Sequence, residues 1–136
     1  MQRHPLAWVV GGEEVVLRVE AVAHSGLDSP IIGFFVKDKL GQCLFGDNTW
    51  LSHMDAPVAC AEGQHVVADF AFQMPRLSAG NYSITVAIAN GTQYDHVQHH
   101  WIHDAVNFKS ESTSVAGGLI GIPMKSIKFE LGGACD

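Results

Sequence analysis

Positive charge is scarce in this chain, and the scarcity excludes more than any motif does. Eight Lys and Arg stand against fourteen Asp and Glu, a net charge of -6. Nucleic acid and anionic membrane surfaces both demand dense positive charge, so neither is an expected partner. Apolar runs are short, and none approaches the roughly 20 residues of a membrane-spanning helix. Cysteine is sparse as well. Cys43, Cys60 and Cys135 form no C-x-x-C pair, and an odd number cannot all pair within one chain. Free thiols in a reducing compartment are expected. Met1–Val10 runs into Gly11-Gly12-Glu13-Glu14 too soon to serve as a signal peptide. The length, 136 residues, suits a single domain over 1–136 and is far too small for a TIM barrel. Its abrupt ends suggest a piece of a longer protein.

What the chain has in plenty is alternation. Val15, Leu17, Val19 and Ala21 alternate with more polar residues along Glu13–Ala23, and Val66, Ala68, Phe70, Phe72 and Met74 do so along Gln64–Met74. Tyr82, Ile84, Val86 and Ile88 alternate with Ser83, Thr85, Ala87 and Ala89. A period of two marks half-buried strands. Pro30–Asp38 is apolar on both faces and reads as a central strand. Shorter strands are expected near Gln42–Phe45, Tyr94–Ile102, Ala105–Ser110 and Ser126–Leu131, with Ala116–Ile122 a linker to the last. Glycine-bearing turns separate them, and no long stretch carries a helical period. The fold class is therefore all-β, an immunoglobulin-like antiparallel β-sandwich. Tyr82, entering its strand just after Gly80, has the placing of a tyrosine corner, whose hydroxyl bonds back to the preceding turn.

Chemistry is harder to find. His96, His99, His100 and His103 are conspicuous, and on a helix three of them would share a face suited to zinc. Their flanks read as strand, where His96 and His100 lie about 13 Å apart, too far for one ion. No metal or other cofactor is expected. There is no nucleophile elbow, no S-x-x-K and no phosphate loop, and the acid pairs Asp69 with Glu20 or Asp95 carry no mark of a cleft. The chain reads as a binding module and not as an enzyme.

A binding surface follows from the alternation. With Tyr82, Ile84, Val86 and Ile88 turned to the core, Ser83, Thr85, Ala87 and Ala89 form a shallow trough on the reverse face. Asp69 and Gln73, with His65, are expected on one side of it, and His99, Trp101 and His103 on the other. An indole beside imidazoles, amides and carboxylates suits a sugar ring. The competing reading places Trp101 in a core or an oligomer interface and leaves the histidines solvated. Asn48-Thr49-Trp50 is expected to be structural, its amide and hydroxyl bonding local backbone.

Three segments carry a resemblance: Pro30-Ile-Ile-Gly-Phe-Phe-Val-Lys-Asp38 with Gly41 and Leu44-Phe-Gly-Asp-Asn-Thr49; Leu77-x-x-Gly80-x-Tyr82; and Tyr94-Asp95 with His103-Asp104-Ala105-Val106-Asn107-Phe108. Over about Val15–Glu130 the chain resembles the C-terminal carbohydrate-binding domain of Wzt-type ATPases, the nucleotide-binding subunits of transporters that export O-antigen polysaccharide. The resemblance implies a non-enzymatic domain that binds the non-reducing end of a lipid-linked polysaccharide and selects it for export. It implies a homodimer in which a terminal strand is exchanged, with Gly117–Gly121 as the hinge. It also implies partnership with an ATPase domain and a transmembrane permease, in the cytoplasm at the inner face of the bacterial inner membrane. Were a phosphate cap read, Arg18, His99 or His103 would supply the cation. The alternative is a structural or oligomerisation sandwich without a sugar ligand.

Overall fold

The computed structural model describes residues 7–53, 58–91, 96–112 and 118–132, apart from the side chains of 52–53 and 96–104. The alternating segments become strands: β1 (Trp8–Val9), β2 (Glu14–Val22), β3 (Pro30–Lys37), β4 (Cys43–Asn48), β5 (His65–Gln73), β6 (Arg76–Leu77), β7 (Gly80–Gly91), β8 (His96–Ser110) and β9 (Ile120–Gly121). One helical turn, α1 (Trp50–His53), follows β4. Five strands form one sheet in the order β1-β8-β7-β3-β4, β2 and β5 form a second, and β6 pairs with β9. All pairings are antiparallel except β1 with β8. The result is the expected all-β, immunoglobulin-like antiparallel sandwich.

The inward rows of the two sheets make the core. Val15, Leu17, Phe70 and Phe72 of the smaller sheet pack against Phe34, Val36, Tyr82, Ile84 and Phe108 of the larger, with Val9, Met74 and Leu77 completing that cluster. Phe34 is its centre: its ring meets Phe70 edge-on at 4.9 Å and stacks on Phe72 at 5.8 Å. Such aromatic pairs add to the stabilisation that burial alone gives. Val19, Ile32, Ala68 and Val86 form a second cluster. The Tyr82 hydroxyl donates to the Ser78 carbonyl at 2.6 Å, which makes the tyrosine corner, and its ring stacks on Phe108 at 5.6 Å. Cys43, exposed, and Cys60, buried, are both free thiols.

The structure differs from the sequence reading at its margins. The expected pair Tyr94–Ile102 and Ala105–Ser110 is one strand from His96 onward, β8, interrupted by shifts of register against β7; Tyr94 and Asp95 lie outside the described residues. The expected strand Ser126–Leu131 is absent. That segment alternates as a strand does, yet Ile127, Phe129 and Leu131 stand 81%, 88% and 86% exposed. Alternation shows only that a segment has one apolar face; a strand also needs an edge to pair with. β1, β6 and β9 escape notice because two residues carry no period.

Candidate functional site

Ser83, Thr85, Ala87 and Ala89 lie on the far face of β7, turned away from the smaller sheet, but the open trough expected there is a correction: Thr85, Ala87 and Ala89 are buried and only Ser83 is half-buried. The strands beside them only half agree with the sequence reading. β7 runs between β8 and β3. β8 is the neighbour that carries His99, Trp101 and His103. Trp101 stands opposite Ala87 in the ladder, while His99 and His103 fall where the register shifts; the side chains of all three lie outside the described residues. Asp69 and Gln73 are a correction. They belong to β5, whose partner is β2 in the other sheet, so the width of the core separates them from the trough. Arg18 is corrected with them. It stands opposite Asp69, and its guanidinium forks onto that carboxylate at 2.9 and 3.0 Å. The hydrogen bond to Asp69, and after it the charge of Asp69, raise the Arg18 pKa further above its already high value. Committed to that pair on the opposite surface, Arg18 is no cation for the trough.

The strand that does flank β7 was missed as a source of site residues. Ile31, Gly33, Phe35 and Lys37 of β3 stand opposite Ala89, Ala87, Thr85 and Ser83, and cross-strand partners share a face. Because β3 is apolar on both sides, its outward row is indistinguishable in sequence from its core row. Phe35 is 38% exposed, whereas Phe34 beside it is 3% exposed. Glycine keeps this face shallow. A Cβ on Gly46 would meet the Phe34 carbonyl oxygen and lie 3.0 Å from Phe35 Cδ1, and one on Gly33 would lie 3.2 Å from Asn48 Cβ. What this face exposes is the Phe35 ring beside Gly46, with the half-buried Ser83 and Lys37 at one end; Ile31, Gly33, Ala87 and Ala89 of the same rows are buried.

Thr85 corrects the picture of an open rim. It is fully buried, and its hydroxyl has no hydrogen-bond partner among the described residues. Asn48 bonds local backbone as expected, its Oδ1 accepting from the Trp50 N–H at 2.9 Å, whereas Thr49 Oγ1 accepts from the Ile32 N–H of β3 at 3.1 Å, a structural bond that is not local.

Asp69 and Gln73 have another setting. A cleft of about 710 Å³ opens between β4 and β5, lined by Phe45 through Thr49 on one side and Val67 through Gln73 on the other. Unbroken runs of neighbours line both walls, which identifies them as strand edges and not side-chain faces, since side chains alternate. Phe34, Phe70 and Phe72 floor it. Among the described residues, no group of His, Cys, Asp and Glu side chains is placed to hold a metal ion. No helix among them is long and apolar enough to cross a membrane.

Comparison with known proteins agrees with this architecture. A crystal structure titled as the C-terminal domain of Wzt superposes with a TM-score of 0.75 at 19% identity, covering 93% of this chain and 75% of that one. No curated protein matches the sequence. The family model of the Wzt C-terminal domain, which is not a catalytic family, matches residues 1–122. The chain belongs to the Wzt C-terminal domain family.

Proposed function

We propose that this domain binds the non-reducing end of a lipid-linked O-antigen polysaccharide, without catalysis, and so selects it for export by an ABC transporter. Family membership ties the chain to O-antigen export. Sugar binding is supported chiefly by the outward face of β3 and β4, where the part-exposed Phe35 stands opposite the exposed Gly46. A phenyl face stacks on the C–H face of a pyranose, and a glycine beside it leaves room for the ring. Ser83 and Lys37 supply a hydroxyl and an ammonium at one end of that face. Lys37 and the exposed Lys109, which stands opposite Asn81 in the row of Ser83, and not Arg18, are cations suited to an anionic cap. His99, Trp101 and His103, on the strand next to Ala87, complete the reading. The domain works in the cytoplasm, at the inner face of the inner membrane, beside an ATPase domain and a permease.

The active form is a homodimer that exchanges its C-terminal segments. Supporting this, Ile127, Phe129 and Leu131 alternate with Lys128 and Glu130 yet lie exposed, while the β4–β5 cleft offers two strand edges over a phenylalanine floor. Free edges and an unpaired amphipathic strand complete one another by β-augmentation. β9, held on β6, marks where the segment leaves its own sandwich.

Calorimetric titration with the source organism's purified O-polysaccharide tests the binding. The expected result is binding that is lost when the terminal residue is removed, and at least tenfold weaker in Phe35→Ala and Trp101→Ala proteins that remain folded. No binding of the intact polymer overturns the proposal. For the exchange, a chain truncated after Ile122 is expected to sediment as a monomer where the full chain is a dimer. Equal sedimentation of the two overturns it.

A further inference from the structure

Among the described residues, Thr85 alone buries a side-chain polar atom without a partner. It sits near the middle of β7, the central strand of the larger sheet, fully buried with an unpartnered hydroxyl. Burying a hydroxyl without a partner is unfavourable, and valine has the same shape, a higher strand preference and no such cost. Stability alone therefore gives no reason for a threonine here.

The ladder around Thr85 is irregular as well. On the β3 side it faces Phe35. On the β8 side the register jumps: Ile84 stands opposite Val106 but Val86 opposite Ile102, so Thr85 faces a bulge at His103, Asp104 and Ala105. Bulges free a strand from its ladder and re-aim side chains, and they gather beside functional sites. One more residue, His99, is accommodated at a second shift, between Ile88 and Ala89. The unpaired hydroxyl, the bulge and the row of Gly33, Ala87 and Ala89 thus share one side of the sheet.

We infer that Thr85 is a ligand-binding residue, and that its hydroxyl takes an uncharged ring hydroxyl of the bound sugar. This rests on the carbohydrate-binding reading and deepens it. A hydroxyl both donates and accepts, as a sugar hydroxyl does, so the two satisfy one another. An anion at this buried position would lose its hydration to a neutral partner, so the charged part of any capped terminus lies elsewhere, toward Lys37. Reaching Thr85 requires the bulged segment of β8 to shift. No pairing with β7 opposes that shift, because His103–Ala105 hold no place in the β7 ladder. Binding is accordingly coupled to a local rearrangement of β8.

The test compares Thr85→Val and Thr85→Ser with the parent domain, by thermal melting and by calorimetric titration with the source organism's purified O-polysaccharide. Thr85→Val is expected to melt at or above the parent temperature while binding about tenfold more weakly, as loss of a buried hydrogen bond dictates. Thr85→Ser, which keeps the hydroxyl, is expected to bind within about threefold of the parent. Unchanged binding by Thr85→Val overturns the inference. So does a lower melting temperature for Thr85→Val, which would make the hydroxyl a structural group. The parent titration separates the two levels: a parent that binds beside a Thr85→Val that binds equally refutes only the Thr85 role. A parent that does not bind removes the carbohydrate reading and this inference with it.

Discussion

Replacing Tyr82 by Phe isolates one hydrogen bond in an otherwise unchanged core. The ring of Tyr82 is 7% exposed and stacks on Phe108 at 5.6 Å, a contact that phenylalanine reproduces. What disappears is the 2.6 Å bond from the hydroxyl to the Ser78 carbonyl. A short bond of this kind is worth about 1–2 kcal/mol once the stranded carbonyl is counted. For a domain of this size that is a fall of roughly 3–8 °C in melting temperature. The phenol also titrates. Burial first, and then the negative charge of Asp38, raise its pKa above the ordinary phenol value. A folded state that holds the proton more tightly than the unfolded state keeps this contribution in full below the unfolded pKa, about 10, and loses it as pH climbs through the folded value. Stability of the parent should therefore fall above pH 10, and Tyr82→Phe should lose that part of the fall. Urea unfolding at a series of pH values, followed by near-ultraviolet circular dichroism, reads both effects. A variant as stable as the parent at pH 7, with the same alkaline slope, would refute the corner as a source of stability.

Three further outcomes follow from the packing. Leu77→Ala, at a position with no exposure, should cost about 2–5 kcal/mol in urea unfolding, as expected for an emptied core site. Gly46→Ala should destabilise the fold and weaken polysaccharide binding together, because its Cβ meets the Phe34 carbonyl and crowds Phe35; a melting curve and a titration check the pair. Arg18→Ala should leave polysaccharide affinity unchanged, since its salt bridge with Asp69 lies on the opposite surface. A loss of affinity there would return the site to the smaller sheet.

The fold was legible because the long strands repeat every second residue, and a period of two fixes which row faces the core. The face of β7 was legible for the same reason: Tyr82, Ile84 and Val86 are buried in the core clusters, and Thr85 lies on the other side. Strand order was not, because alternation assigns faces without saying which strand lies alongside. That gap put Asp69 and Gln73 beside the trough when β3 belonged there. It also hid Phe35 and Lys37, on a strand whose two faces look alike. The bulges of β8 were invisible for a related reason: register depends on the pairing partner, and a single strand's sequence records only its own half.

The parallel pairing of β1 with β8 has a consequence for how the chain comes to be folded at all. Trp8 finds its partner in Lys109 and Val9 in Ser110. Val9, 1% exposed, belongs to the same core cluster as Phe34 and Phe108. A ribosome adding about 5–20 residues each second leaves β1 waiting roughly 5–20 s for its ladder to exist. Throughout that time β1 has no ladder to join, and the main cluster stays open along one side. Every nascent length that stops short of Ser110 should be read by the cell as unfinished, and be the preferred prey of chaperones and proteases.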